Sequence, residues 1–389
     1  MPGEAGAMAY QQTSTTQRVL FFDQIKALMI ALVIAVHFLG AFLSDWGWMG
    51  VHISAGGSPH PFFSGVAIWW SSICNTFFMY MLFLISGYFV PRSVHKKGIG
   101  RYLKDRLLRI GVPFVAGMLL INNVSVLLGR LSPDSITADM PWRELPFNHV
   151  MVLWFLLVLF AFDLIYCTWV SLRGDRFAID TSIPTPKLRS WLISAVVLAL
   201  IEVAMSSQSS FWMALLQSPL DGIGVQGPHV FTYAFLFFLG CKASFHRWLE
   251  RLDAHLVLRW FRLSIALALS LLAVFLVLAF NGGSPDEFGK LAALMPLLNP
   301  FIGWGVMGYL LLWFQRNESR GGQWLANAGV DSFGAYIIHP LVLVVVLEAI
   351  GFIGLNHWLI ALVGIFLGIM ISFGISHQLR RIPAVARVI

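Results

Sequence analysis

The stretch KALMIALVIAVH, residues 26–37, places ten apolar residues between a lysine and a histidine. It lies inside an apolar segment centred on residues 24–43, about the 20 residues that a helix needs to cross a bilayer. Eleven residues make almost three helical turns, so Lys26 and His37 project from one face, ~16 Å apart along the axis. An ionisable side chain inside a membrane span must face a partner or a polar interior rather than lipid, which makes both residues functional candidates. Asp23, one turn before Lys26, is spaced to pair with its ammonium at i to i+3. Lys26 also fits a lysine that snorkels at the membrane boundary. A histidine at the position of His37 either bonds between helices or acts as a general base.

Composition extends this reading to the whole chain. Hydrophobic residues make up 58% of the 389 residues and Asp, Glu, Lys and Arg only 12%, about half the charged share of a soluble domain. The expected fold class is therefore all-α, a polytopic integral membrane protein. Ten spans are expected, centred on residues 24–43, 66–90, 108–128, 150–170, 190–205, 229–245, 262–280, 291–314, 328–351 and 357–378. Residues 1–17 form a polar tail with no charged start. The first span lacks a small-residue cleavage site and is expected to be retained. Residues 18–389 then form a single membrane-embedded domain. Cys74, Cys167 and Cys241 lie in apolar surroundings without CxxC spacing, as small core residues rather than metal ligands or disulfides.

The net charge of +7 is explained by topology. With the N-terminus inside, 22 of the 26 Lys and Arg residues fall in internal loops. Only Arg130, Arg143 and Lys290 fall in external loops, and Lys26 marks the inner end of the first span. The positive-inside rule thus puts both termini in the cytoplasm, with no need for nucleic acid as a partner.

Downstream of the first span, FFMYMLFLISGYFVPRSVHKKGIGRYLKDRLLRIGVPF (77–114) carries Ser86 and Gly87 within a span, either for close helix packing or for a break in the ladder. Pro91 and Gly98 bracket a turn. Arg101, Lys104, Arg106 and Arg109 follow on an amphipathic stretch, suited to anionic lipid headgroups or to a polyphosphate, whose oxygens guanidinium groups match bidentately. On the external side, Asp45, Trp46, Trp48, His52 and His60, with Trp142, Glu144, His149, Asp221 and His229, offer aromatic faces and polar groups for a sugar. Tryptophan there also forms the ordinary interfacial belt.

Several motifs occur together in order: K-x10-H (26–37), FF-x6-ISGYF (77–89), R-x4-R-x2-R-x3-PF (101–114), LWFL (153–156) and YIIHP (336–340). In this combination the chain resembles the acyltransferase 3 family of membrane O-acyltransferases and, within it, the glucan biosynthesis protein C branch. The resemblance implies that His37 is the catalytic histidine. It also implies that Lys26, where many members have arginine, helps Arg106 and Arg109, and less directly Arg101, to hold acyl-coenzyme A. Tyr336 and His339 match the family's late tyrosine and histidine, as oxyanion donors or, for the His339–Pro340 pair, as a stabilised kink. Some members carry a fused SGNH hydrolase-like domain. None follows here, so transfer is expected to be completed by this domain or by a separate protein.

The expected reaction is transfer of an acetyl or succinyl group from cytosolic acyl-CoA to a hydroxyl of an exported carbohydrate. His37 would act as base or as a transiently acylated nucleophile, without metal, in a bacterial inner membrane. Asp45, Trp46, Trp48 and His149 are the expected acceptor contacts. Two other classes fit parts of the pattern. A secondary transporter would share ten spans and intramembrane charge, but matched interruptions in two halves are missing. A b-type cytochrome would use His37 and His339 as axial ligands on separate spans.

Overall fold

The computed structural model describes residues 20–42, 59–131, 138–145, 147–206, 229–283, 287, 290–291, 293–351 and 356–389. Helix α1 spans Leu20–Gly40. Its exposed first N–H groups are met by a carboxylate from far along the chain, with Phe21 N donating to Glu318 Oε1 at 3.2 Å. Asp23 in the first turn adds a favourable charge at the positive end of the helix dipole. No proline or glycine interrupts the helix before Gly40.

The second predicted span is two helices. Helix α2 (Pro61–Asn75) starts on a proline and is capped by His60, whose Nδ1 accepts from Phe62 N at 3.2 Å. It stops where Thr76 Oγ1 bonds back to Ile73 O at 2.8 Å and Phe77 leaves the helical region at φ −143°. Helix α3 (Phe78–Lys97) then runs unbroken through Ser86 and Gly87. Of the two roles open to Ser86–Gly87, close packing is the one found. A Cβ on Gly87 would sit 1.9 Å from Phe237 O, and one on Gly240 would sit 2.2 Å from Leu84 O. Two glycines thus bring two backbones together.

Gly98, at φ +74°, turns the chain into α4 (Ile99–Arg130). Around Pro113 this rod widens into π-helical segments at Leu107–Gly111 and Gly117–Asn122. Pro113 has no N–H to give and its ring crowds the preceding turn, so the hydrogen-bond ladder shifts register there. The remaining helices are α5 (Trp154–Arg173), α6 (Leu188–Ser206), α7 (Val230–His246), α8 (Ala254–Phe280), α9 (Met295–Arg316), α10 (Glu318–Gly351) and α11 (His357–Leu379). Helix α10 kinks at Gly322, φ 54°. Among the described residues nine helical segments are long and apolar enough to cross a membrane, α2 and α3 counting together. Helix α7, with 17 residues, is the shorter match to the sixth predicted span. The protein is an all-α polytopic membrane protein.

Helix α1 lies inside the bundle, packed on α10 and more lightly on α11 and α3, while α3 packs along α7. Close approach of α10 depends on Gly329, where a Cβ would come within 2.0 Å of Asp23 O. By contrast α4, α6, α8 and α11 turn most of their apolar surface outward, as lipid-facing helices do. The helix ends assigned to one side by charge also meet in space. Lys26 Nζ sits 5.3 Å from the Phe89 ring centroid, Tyr88 bonds Glu250 at 2.7 Å, and Arg380 bonds Asp331 at 2.7 Å. Cys74, Cys167 and Cys241 are buried, free thiols.

Candidate active site

The YIIHP segment builds the most unusual polar contact in the bundle. Pro340 has no N–H, so the carbonyl of Tyr336, four residues earlier, loses the donor that a regular helix would supply. His339 replaces it from the same turn, with Nδ1 2.6 Å from Tyr336 O. Its other nitrogen, Nε2, lies 3.0 Å from His37 Nδ1, and the two rings stack with a 9° interplanar angle.

A carbonyl oxygen only accepts, so His339 carries its proton on Nδ1. In the neutral ring Nε2 is then an acceptor, and His37 must donate to it from Nδ1. That assigns the basic lone pair of His37 to Nε2. The chain of carbonyl, imidazole and imidazole fixes both the tautomer and the orientation of His37, the part that a carboxylate plays in an Asp–His pair. His339 is fully buried, whereas His37 is half-buried.

The structure thus brings His37 together with Tyr336 and His339, which lie about three hundred residues further along the sequence. The Tyr336 ring lies 5.8 Å from that of His339, but its hydroxyl donates to Val152 O just ahead of α5. Of the two residues offered as oxyanion donors, Tyr336 has its Oη and His339 its Nδ1 engaged by carbonyls. Tyr336 here ties α10 to α5, and His339 supports His37. The direct contact between the two imidazoles also corrects the cytochrome reading, because axial ligands need an iron between their nitrogens.

The basic residues separate into two kinds. Lys26 pairs with Asp23 at 3.3 Å, as its spacing predicts. Arg106 is turned inward: its Nε lies 2.9 Å from Asp163 Oδ2 and donates to Tyr102 Oη at 2.9 Å, while Tyr102 Oη donates to Asp163 Oδ1 at 2.7 Å. Asp163 is fully buried on α5, so Arg106 neutralises an internal charge instead of standing open for a phosphate. Arg101 and Arg109 are exposed, and Arg109 sits within the first π segment. Of the expected acceptor contacts, His149 is exposed and its carbonyl accepts from Asn122 Nδ2 at 2.8 Å. Asp45, Trp46 and Trp48 lie outside the described residues, as do His52 and Asp221.

Besides Asp331, which meets Arg380, two fully buried carboxylates were missed by the sequence reading. One is Asp163. The other is Glu202 on α6, which accepts from Tyr80 at 2.8 Å, Thr232 at 2.5 Å and Asn299 at 3.0 Å, with His229 Nδ1 at 3.1 Å. Both residues stand in predicted spans, and an acidic residue in an apolar segment was the signal available. Aromatic rings join this cluster to the imidazole pair, through Tyr233, Trp154, Phe155 and Tyr336 at centroid spacings of 5.4, 6.3 and 5.9 Å. Among the described residues no group of three or more His, Cys, Asp or Glu side chains is placed to hold a metal ion.

Comparison with known proteins agrees with the motif order. The chain is similar to proteins called glucans biosynthesis protein C from Salmonella heidelberg (strain SL476) and Salmonella paratyphi B (strain ATCC BAA-1250 / SPB7). Each is 25% identical over 203 residues, covering 49% of this chain and 48% of the relative. The match thus spans about half the length of those relatives. No solved structure matches the chain. The acyltransferase 3 sequence model, described as an acyltransferase domain, matches residues 19–377, and the chain therefore belongs to the acyltransferase 3 family.

Proposed function

We propose that the protein moves an acyl group, acetyl or succinyl, from cytosolic acyl-CoA to a hydroxyl of an exported carbohydrate such as a periplasmic glucan, in a bacterial inner membrane. The observation that carries this reading is the His37–His339 contact: a membrane-embedded imidazole whose Nδ1 meets His339 Nε2, in the tautomer that puts its basic nitrogen at Nε2.

His37 Nε2 takes the proton of the acceptor hydroxyl as its oxygen attacks the thioester carbonyl. The tetrahedral adduct collapses with cleavage of the C–S bond, and the departing thiolate recovers the proton from His37. Positive charge on His37 in between is stabilised by the acceptor nitrogen of His339, so His339 acts as a positioning residue. The long pantetheine arm suits a path along α1 from the basic face to His37. The exposed guanidinium groups of Arg101 and Arg109 suit the coenzyme's phosphates, with Lys26 beside the same face. Arg106 supports that face through Asp163 and Tyr102. The carbohydrate is taken from the opposite side, where His149 and the loop of Asp45, Trp46 and Trp48 are the proposed contacts. The family assignment supports acyl transfer, and the similarity to glucans biosynthesis protein C supports a glucan acceptor.

The test is thiol release from acetyl-CoA and from succinyl-CoA by inside-out vesicles, together with mass spectrometry of exported glycans from cells with and without the gene. A carbohydrate-dependent release and a matching acyl mass shift are expected. Uptake of a substrate without consumption of acyl-CoA would instead mark a transporter.

A further inference from the structure

A cavity of about 550 Å³ lies between α6, α7 and α9, within the roughly 300–1,000 Å³ typical of ligand sites. Its walls are apolar, with Trp191 on α6, Phe235 and Leu239 on α7, and Trp304, Met307 and Leu311 on α9. Neither His37, His339, Arg101 nor Arg109 lines it, so it is separate from the site above.

One end is cationic. Lys187, Lys242 and His246 stand at the rim, at the helix ends that carry most of the chain's basic residues. The segment preceding α6 is strapped across that end. Asp180 N donates to Phe245 O at 2.8 Å, His246 Nδ1 donates to Asp180 O at 2.9 Å, and Arg251 donates to Thr181 O at 2.7 Å. Pro184, Thr185 and Pro186, which follow the strap, close over the cavity. Trp248, also a wall residue, adds an independent sign. It is buried, 7% exposed, and among the described residues its indole N–H has no hydrogen-bond partner. A buried donor without an acceptor is destabilising, so an oxygen supplied by a ligand there would be favoured.

The combination defines its occupant: a long apolar body, an acceptor oxygen near the indole, and a negative charge between two lysines. The outer face of α6 exposes Leu192, Ile193, Val196 and Val197, so hydrocarbon reaches the cavity's surroundings directly. We propose that this cavity holds one anionic glycerophospholipid of the leaflet on the basic side, with an acyl chain between α6, α7 and α9. Its phosphate lies at Lys187 and Lys242, and an ester carbonyl or phosphate oxygen accepts from Trp248 Nε1. The proposal is independent of the acyl-transfer reading.

The test is native mass spectrometry of the detergent-purified full chain, titrated with phosphatidylglycerol or with phosphatidylcholine. One phosphatidylglycerol is expected to remain bound in preference to phosphatidylcholine. Lys187→Glu/Lys242→Glu should lower its occupancy by at least about tenfold, whereas Arg92→Glu/Lys96→Glu, an equal charge change on exposed residues outside the cavity, should leave it in place. Trp248→Phe removes the N–H without changing charge and should weaken binding by roughly three- to tenfold. This second variant decides the matter if the double lysine variant does not fold. Equal retention of the two lipids, equal loss in the Arg92/Lys96 variant, or unchanged binding by Trp248→Phe would overturn the proposal.

Discussion

His37 Nδ1 and His339 Nε2 are 3.0 Å apart, and the proline after His339 is what makes the contact directional. Pro340 frees the Tyr336 carbonyl, the carbonyl fixes the His339 proton, and His339 in turn fixes the proton of His37. An imidazole that would otherwise divide its time between two tautomers is held in one.

Replacing His339 separates support from catalysis. His339→Ala removes the acceptor of the His37 Nδ1–H and should lower kcat by roughly 10²–10⁴-fold, with a smaller change in KM. His339→Gln retains a carbonyl acceptor and should recover at least tenfold of that loss. Steady-state kinetics on reconstituted protein would show it, and equal activity of the two variants would mean that the ring is needed for more than the hydrogen bond.

The Arg106–Asp163 pair should be a matter of stability. Asp163 is fully buried and faces a guanidinium at 2.9 Å. Breaking such a pair by removing one partner typically costs about 3–5 kcal/mol, while replacing both with apolar residues is often tolerated. Asp163→Leu and Arg106→Met alone should therefore lower the thermal midpoint sharply, and the double variant should recover much of it. Thermal unfolding in detergent followed by size-exclusion chromatography measures this. A double variant no better than the singles would show that Arg106 has a further role.

Glu202 makes the same kind of claim at the other buried carboxylate. Glu202→Gln keeps an amide oxygen for Tyr80 and Thr232, whereas Glu202→Ala leaves Tyr80, Thr232 and Asn299 without their common acceptor. At about 1–3 kcal/mol for each orphaned group, the alanine variant should be the less stable by at least ~2 kcal/mol. Equal unfolding midpoints would contradict this.

Helix contact at glycine provides a test of the fold itself. Gly87→Ala places a methyl against the Phe237 backbone and should cost roughly 1–3 kcal/mol or more. Gly374→Ala on α11 meets nothing within 4 Å among the described residues and should be neutral or slightly stabilising. A Gly87→Ala protein as stable as Gly374→Ala would refute the α3–α7 packing.

The all-α polytopic fold was legible because the bilayer imposes length on apolar segments: among the described residues nine are long enough to cross it, and α7 is a shorter one. The i to i+3 pair of Lys26 and Asp23 was legible for the same local reason. The break at Thr76–Phe77 was not, since a threonine bonding back to Ile73 is common inside helices that continue. Gly87 gave a correct position and an open meaning, which only the partner backbone decides. Arg106 was read as open to a phosphate because its partner, Asp163, stands 57 residues away in an apolar span. His37 and His339 could each be marked as costly, but their contact spans 302 residues and depends on how α1 seats against α10. Glu202 is a lone acid in an apolar segment, and the partners that satisfy it, Tyr80, Thr232 and Asn299, come from three other helices.

The most direct test of the central claim is acyl transfer by His37→Ala in reconstituted membranes, with thiol release from acyl-CoA and acyl product on carbohydrate measured together. With insertion and thermal midpoint close to those of the unsubstituted protein, both rates should fall by at least about a hundredfold. Retention of product formation within twofold would remove His37 from the chemistry.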